Sequence, residues 1–252
     1  MTSTHVSAPS HTAAPAALAD RPGFWRDHAL LPLGALLLVF VAIEVLGLDR
    51  RLAGALYAWE GHTWAFQKAY WAEKLMHKGG RNLSVAAWLA VLSVWIASHF
   101  KPQLTAWRRP LGYLALAVLT STLLVSAIKA HSHMDCPWDI VGFGGDRAYV
   151  PLYLPRPHDM PRAACFPAGH SSGGYAWMAL YFCFLMVRPT WRWRGLAVGV
   201  VVGLAFGITQ QLRGAHFLSH DIATITLCWA VACAWFRVFQ RPGLRRDAAA
   251  AG

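Results

Sequence analysis

Residues 165–174 read Cys-Phe-Pro-Ala-Gly-His-Ser-Ser-Gly-Gly and stand directly before an apolar run that starts at Tyr175. This order predicts a polar turn that opens a helix, where several backbone N–H groups have no partner inside the helix. The glycines leave room for a bulky anion, so the turn suits a phosphate-like ligand. His170 at its edge can exchange a proton with the bound group. Taken alone, the same residues also fit a plain helix cap built on Ser171 or Ser172.

The composition is typical of a protein that crosses a membrane several times. Of the 252 residues, 56% are hydrophobic, 14% are charged and 13 are tryptophans, which predicts a single membrane domain and not a soluble one. The net charge is +11, but the basic residues lie between apolar runs and form no continuous stripe with interleaved aromatics. We therefore expect the lipid bilayer and its anionic lipids as partners, and no nucleic acid.

The apolar runs predict an all-α fold, a bundle of six transmembrane helices. The expected spans are residues 30–48, 83–100, 111–129, 175–187, 196–212 and 222–239. Residues 49–81 alternate aromatic with charged side chains, which predicts an interfacial helix between the first two spans. The chain then divides into a disordered N-terminal tail (1–22), the six-helix domain (23–240) and a basic, flexible C-terminal tail (241–252).

The distribution of basic residues predicts the orientation in the membrane. The connections at 101–109 and 188–194 are short and rich in Lys and Arg, and so is the tail from Arg237; cytoplasmic segments have this character. Both termini would then be cytoplasmic, and the long polar loop of residues 129–170 would lie outside. Cys136 and Cys165 fall in this loop, and the sequence is compatible with a disulfide between them or with two free thiols.

Three polar clusters, each at a helix end, would meet at this outer face. They are residues 129–139 (Lys-Ala-His-Ser-His-Met-Asp-Cys-Pro-Trp-Asp), the turn around His170, and residues 210–221 (Gln-Gln-Leu-Arg-Gly-Ala-His-Phe-Leu-Ser-His-Asp). Together they supply what phosphoryl transfer needs. A cation can neutralise the phosphate, one histidine can attack phosphorus, and a second can protonate the departing oxygen.

The order and spacing of these clusters resemble the type 2 phosphatidic acid phosphatase superfamily, and in particular a bacterial membrane-associated branch with Cys-Pro-Trp-Asp and Cys-Phe-Pro-Ala-Gly-His motifs. The superfamily pattern is a Lys six residues before Arg-Pro, then Pro-Ser-Gly-His, then Ser-Arg with a His after five residues and an Asp four beyond it. The resemblance implies that His216 forms a phosphohistidine, that His170 is the acid and that Lys129 binds phosphate. It implies a lipid phosphate or diphosphate monoester as substrate, at the outer face of a bacterial inner membrane.

The chain departs from this pattern at several positions. Cys136 and Ala168 stand where the superfamily has Arg and Ser, and Thr209-Gln210 replaces Ser-Arg. Arg213, three residues before His216 and on nearly the same helical face, is the expected substitute for a missing cation. The other expected substrate contacts are Gly169, Ser171, Gln210 and His220.

The residue that orients the nucleophile is ambiguous in the sequence. His220 stands four residues beyond His216, and Asp221 follows it. A carboxylate holds the required tautomer of an imidazole better than a second imidazole does, which favours Asp221 as the third catalytic residue. Asp221 is rotated by about 100° from the preceding position on a regular helix, so His220 is the alternative.

No metal or other cofactor is expected. His131, His133, His158 and Asp159 share one loop but lack the tight spacing of a metal site. Two other functions stay open: a lipid-to-lipid phosphotransferase that uses the same histidine, and a non-catalytic descendant that binds anionic lipid. The sequence leaves both the lipid substrate and the oligomeric state open.

Overall fold

The computed structural model describes residues 18–241, and within this range the fold is all-α. Most of the predicted C-terminal tail and most of the predicted N-terminal tail lie outside the described residues; Leu18–Asp20 forms one 3-10 turn. The α-helices of the described range are α1 (Leu31–Val45), α2 (Leu48–Trp59), α3 (Gly80–Ala97), α4 (Thr105–His131), α5 (Gly169–Tyr175), α6 (Leu180–Val187), α7 (Arg192–Leu212) and α8 (Leu218–Phe239).

Five helical stretches are long and apolar enough to cross a membrane. Each contains one of the predicted spans or most of it: Arg26–Val45, Trp71–Ala97, Pro102–His131, Pro189–Leu212 and Leu218–Phe239. The remaining predicted span, residues 175–187 and fourth in chain order, falls in a helical rod that consists of α5, a 3-10 segment (Ala176–Ala179) and α6. This rod is not among the five apolar stretches named above, so the span at residues 175–187 stays a prediction.

The segment predicted as one interfacial helix is divided in the structure. α2 ends at Trp59, a loop follows, and the helical segment Trp71–Gly79 continues directly into α3. The loop folds on itself, because the Glu60 carboxylate accepts the Phe66 N–H at 3.3 Å. The second half of the predicted interfacial helix is therefore continuous with the candidate spanning helix α3. An interfacial position for these residues stays a prediction.

Aromatic side chains from three helices form the centre of the bundle. Tyr113 of α4, Phe182 of α6 and Phe236 of α8 are fully buried. The rings of Phe182 and Phe236 stack at 4.6 Å, and the Tyr113 hydroxyl donates to the carbonyl of Ala232 at 3.0 Å. The buried hydroxyl thus has the partner it needs in an apolar core.

Four glycines spaced by four residues let α7 approach its neighbours closely. A Cβ on Gly195 would lie 2.7 Å from Phe184 Cδ2, and a Cβ on Gly207 would lie 2.7 Å from the Asp221 carboxylate; the other two are Gly199 and Gly203. Small residues at such spacing permit tight helix packing in a membrane. The close approach brings the end of α7 beside the beginnings of α5 and α8.

Two ends of the bundle can now be distinguished. At the site end, α4 and α7 finish while α5 and α8 begin; the opposite end holds the connections at 98–104 and 188–191. The Ala168 N–H donates to the His220 carbonyl at 3.2 Å, and the Trp138 N–H donates to the Gly214 carbonyl at 3.0 Å. These bonds tie the long loop to the start of α8.

Candidate active site at one end of the helix bundle

His170 is half-buried in the first turn of α5. Its Nε2 lies 3.0 Å from the Met76 carbonyl, which can only accept, so Nε2 carries a proton and Nδ1 is the free nitrogen. Burial lowers the pKa of His170 to about 4, and positive charge on His77, Arg213 and Arg81 contributes, while the Met76 carbonyl opposes the shift. The imidazole is therefore neutral near pH 7.

A histidine that the sequence analysis missed, His77, lies against His170. The two ring centroids are 4.4 Å apart, and His77 Nδ1 accepts from Gln210 Nε2 at 3.2 Å. His77 and Gln210 are 133 positions apart in the chain. No motif marks His77, because its proximity arises only when the segment Trp71–Gly79 packs on α7.

Gln210 and Arg213 form one hydrogen-bonded unit at the end of α7. Arg213 Nη1 donates to Gln210 Oε1 at 3.2 Å, and Arg213 Nε donates to the Gln67 carbonyl at 3.0 Å. Arg213 is 9% exposed, and burial lowers its pKa, although a guanidinium keeps its charge. The structure thus holds a cation directly beside the position where the superfamily pattern has Arg.

Lys129 lies over the start of α5. It is half-buried near the end of α4, and a Cβ on Gly169 would lie 3.2 Å from Lys129 Cδ. Glycine at this position therefore lets the lysine stem pass close to the first turn, where backbone N–H groups lack helical partners. A lysine charge and unpaired N–H groups together favour an anion here.

His216 and His220 form a buried pair of imidazoles. Their Nδ1 atoms are 3.3 Å apart, and the side chains are 6% and 0% exposed. Burial lowers the pKa of His216 well below its usual range, and charge on Lys129, His220 and His170 contributes, while a hydrogen bond with the Cys165 backbone opposes the shift. His216 is therefore neutral near pH 7, within electrostatic range of both Lys129 and His170.

Asp221 has partners other than His216. Ser171 Oγ donates to Asp221 Oδ1 at 2.5 Å, and Gln211 Nε2 donates to Oδ2 at 2.7 Å. The carboxylate joins α5 and α7 to α8, while His220 contacts His216, because the extra residue rotates Asp221 by about 100° away from that side of the helix. Ser171, predicted as a substrate ligand, is fully buried and directs its hydroxyl to Asp221.

A carboxylate from a distant helix caps α8. Asp49 of α2 is 3% exposed, and its Oδ1 accepts the Ser219 N–H at 2.9 Å. Phe217, at the N-cap position of α8, offers no side-chain cap. Burial raises the pKa of Asp49, and hydrogen bonds from Ser219 and Leu218 oppose the shift. This cap acts between helices and fixes the turn that carries His216.

The long loop is held by covalent and ionic links. Cys136 and Cys165 form a disulfide with their Cα atoms 5.4 Å apart, and the Asp135 carboxylate pairs with Arg147 at 2.7 Å and with Arg156. In the described range, one group of side chains has the mutual distances of metal ligands: the two bridged cysteines together with Asp139. Its two sulfur atoms are bonded to each other, so they are not thiolate ligands.

The candidate site combines neutral imidazoles with a lysine and an arginine, which suits an anion. It lies at one end of a bundle with several membrane-spanning helices, so the protein is a membrane protein. The chain belongs to the PAP2 superfamily, whose family model matches residues 110–243. This range contains all three motifs, so the resemblance drawn from the sequence is confirmed. Members of this superfamily are phosphatases. Comparisons with curated proteins and with solved structures gave no significant match.

Proposed function

We propose that the protein is an integral membrane lipid phosphatase that hydrolyses a phosphate or diphosphate monoester of a lipid through a phosphohistidine. The observation that carries this proposal is the His216 pair. A neutral, buried imidazole has its Nδ1 3.3 Å from His220 Nδ1 and lies within electrostatic range of Lys129 and His170. An imidazole paired through one nitrogen can present a lone pair on the other.

Substrate binding rests on positive charge. Lys129 and Arg213 would hold the phosphoryl group, with Gln210 fixing the guanidinium through its 3.2 Å bond and backbone N–H groups near Gly169 adding donors. The transition state of phosphoryl transfer spreads negative charge over three oxygens, so fixed cations stabilise it more than the ground state. The lipid chains would enter sideways from the bilayer.

The chemical step uses two histidines. His216 Nδ1–H donates to His220, so the Nε2 lone pair attacks phosphorus; the P–O bond to the lipid breaks, and its electron pair stays on the lipid oxygen. His170 Nδ1 gives that oxygen a proton. Water then attacks the phosphohistidine, neutral His170 takes the water proton, and breakage of the P–N bond releases phosphate and restores His216.

The low pKa of His170 fits this role once an anion is present. Burial and neighbouring positive charge lower its pKa to about 4. A phosphate dianion next to Lys129 and Arg213 would offset that positive charge and favour the imidazolium. Substrate binding would therefore favour protonation of His170, the proposed acid.

The proposed location is a bacterial inner membrane with cytoplasmic termini and the active site on the outer face. The short connections at the opposite end support this, since residues 101–109 and 188–194 are rich in Lys and Arg. We propose a reaction that needs no metal, because the superfamily pattern assigns the nucleophile to histidine. The substrate class is a lipid phosphate; its identity requires an assay.

The decisive experiment measures phosphate release from a panel of lipid phosphates by purified protein with excess chelator. Phosphatidate, phosphatidylglycerol phosphate, undecaprenyl diphosphate and lipid A would be compared. We expect His216→Ala to lose roughly 10³-fold or more of the activity. The control, His131→Ala, removes an exposed imidazole at the end of α4 and should leave the rate unchanged.

Three other outcomes would contradict the proposal in different ways. Equal release by wild type and His216→Ala would exclude His216 as the nucleophile. Transfer of phosphate to a lipid alcohol without release of free phosphate would identify a phosphotransferase. Binding of lipid phosphate without turnover would identify a non-catalytic protein, and Gln210 in place of Arg would then be the leading explanation.

A further inference from the structure

A cavity of about 870 Å³ lies away from His170 and His216, between the segment that includes α1 and the turn before it and helices α6, α7 and α8. Its lining includes Pro189 and Arg192, which follow α6 at the opposite end of the bundle. The helical rod of residues 169–187 is about 28 Å long at the rise of an α-helix. The mouth of the cavity and the candidate active site are therefore at opposite ends of the bundle.

The interior of this cavity is apolar. Side chains from five helical elements line it: Leu36, Met178, Leu185, Leu196, Ile225 and Trp229. Its volume lies within the range of sites that enclose small molecules, roughly 300–1,000 Å³. An alkyl chain is the ligand group that such a lining favours.

Hydrogen bonds hold the wall of the cavity together. His28 Nδ1 donates to the Phe24 carbonyl at 2.8 Å, so His28 Nε2 accepts from the Tyr181 hydroxyl at 3.0 Å. Trp229 Nε1 donates to the His28 carbonyl at 2.7 Å. The segment before α1 is thus fixed to α6 and α8, and the cavity is a built feature of the bundle.

The mouth of the cavity carries excess positive charge. Arg21 is exposed and Arg192 is half-buried, and both line the cavity. Within residues 18–241 neither forms a salt bridge with a carboxylate, whereas the one acidic side chain of the lining, Asp27, is paired with Arg26 at 2.8 Å. Arg192 Nη1 donates to the Pro189 carbonyl at 2.9 Å, which leaves the guanidinium charge without a carboxylate in the described range. Two such guanidinium groups beside an apolar interior match a ligand with an anionic head and an alkyl tail.

We propose that this cavity binds one anionic phospholipid from the leaflet at the opposite end of the bundle. Arg21 and Arg192 contact the headgroup phosphate, and one acyl chain lies along Leu185 and Ile225. The site is separate from the candidate active site and does not depend on catalysis. Basic pockets between membrane helices bind anionic headgroups by the same combination of charge and apolar contact.

The test is a titration of the purified, delipidated full-length chain in a neutral detergent. Native mass spectrometry would count bound phosphatidylglycerol, and phosphatidylcholine with identical acyl chains would serve as the neutral comparison. Phosphatidylglycerol is a phosphodiester, so a monoester phosphatase does not consume it. We expect one saturable phosphatidylglycerol per chain and at least about tenfold weaker binding of phosphatidylcholine.

Matched variants separate the cavity from general surface charge. Arg21→Gln with Arg192→Gln should weaken phosphatidylglycerol binding by about tenfold or more. The control pair, Lys101→Gln with Arg194→Gln, removes the same charge from the same end without touching the cavity lining and should bind as wild type does. Ile225→Trp should block binding of the acyl chain. If that variant does not fold, the Arg21→Gln with Arg192→Gln variant still tests whether the cavity binds the lipid.

Several outcomes would overturn the proposal. Equal loss of binding in both arginine and control pairs would reveal an effect of surface charge alone. Displacement of the lipid by millimolar inorganic phosphate would indicate a site for free phosphate. Lipid bound only after deletion of residues 1–17 would identify the tail of the chain itself as the occupant.

Discussion

At the scale of single residues, one proton between His216 and His220 decides whether the proposed nucleophile works. The two Nδ1 atoms are 3.3 Å apart, so one donates and the other accepts. If His216 donates, its Nε2 has a lone pair for phosphorus; if His216 accepts, its Nε2 holds a proton and cannot attack. In the superfamily pattern a carboxylate, which only accepts, occupies the position of His220.

Replacing His220 by a side chain that offers an acceptor oxygen tests this tautomer. In His220→Asn the side-chain oxygen accepts from His216 Nδ1–H, whereas His220→Leu has a similar size and no acceptor. We expect the Asn variant to keep phosphatase activity within about tenfold of wild type and the Leu variant to lose roughly 10²-fold or more. Rates of phosphate release, with helical content checked by circular dichroism, measure the difference. Equal rates in the two variants would exclude His220 as the orienting residue.

His77 is expected to control the pH dependence through His170. Burial is the main cause that lowers the pKa of His170 to about 4, and charge on His77 is the next. His77→Phe keeps a ring against His170 but removes an imidazole whose protonation opposes that of His170, so the pKa of His170 should rise. Protonated His170 is the proposed acid, and the alkaline limb of the kcat profile should therefore move to higher pH.

The control for this experiment is His99→Phe. His99 is exposed at the opposite end of the bundle, where its Nδ1 donates to the Trp95 carbonyl at 3.0 Å. Its substitution should leave the profile unchanged. Superimposable kcat profiles for wild type and His77→Phe would show that His77 does not act through the charge state of His170.

At the scale of helices, the glycine face of α7 is expected to determine stability. A Cβ on Gly199 would lie 2.6 Å from the Trp177 carbonyl carbon and 2.7 Å from Met178 Cα, and backbone atoms move only with the whole helix. Gly199→Ala should therefore lower the free energy of unfolding by about 1–3 kcal/mol. Gly34→Ala is the matched control, since nothing lies within 4 Å of its Cβ and alanine favours a helix. Thermal unfolding in detergent compares them, and an equal decrease would contradict the packing argument.

Helix existence could be predicted from the sequence more securely than helix limits. Apolar runs mark α4, but the helix begins at Thr105, six residues before the predicted span, because helices extend beyond the apolar stretch into polar surroundings. The break at the end of α2 was not predicted. The loop after it is held by remote contacts, such as Trp64 Nε1 donating to the Phe143 carbonyl at 2.9 Å, and no local pattern reports them.

At the scale of the whole molecule, the candidate site divides into residues with and without a sequence signal. Lys129, His170 and His216 stand at motif spacing, and the structure brings them to one end of the bundle. His77 and Asp49 carry no motif, since Asp49 contacts Ser219 across 170 positions of the chain. The sequence marks His77 and Asp49 only as ionisable residues near apolar runs. Which residue each one contacts is determined by helix packing.

The orientation of the molecule in the membrane is the last prediction. Tyr70 precedes the helix that carries His77 at the site end, and Phe100 lies at the opposite end; they are 69% and 80% exposed. Among the native cysteines, Cys136 and Cys165 are bridged, and Cys183, Cys228 and Cys233 are buried, so an introduced thiol should react alone.

A membrane-impermeant maleimide applied to intact bacteria should label Tyr70→Cys and should label Phe100→Cys only after permeabilisation. This result follows from the basic connections at the opposite end, which stay in the cytoplasm, and from the disulfide at the site end, which persists in an oxidising compartment. The reverse labelling pattern would place His216 in the cytoplasm. A lipid phosphatase would then act on the inner leaflet, and the disulfide would be reduced by cytoplasmic thiols, leaving the loop beside Lys129 without its covalent link.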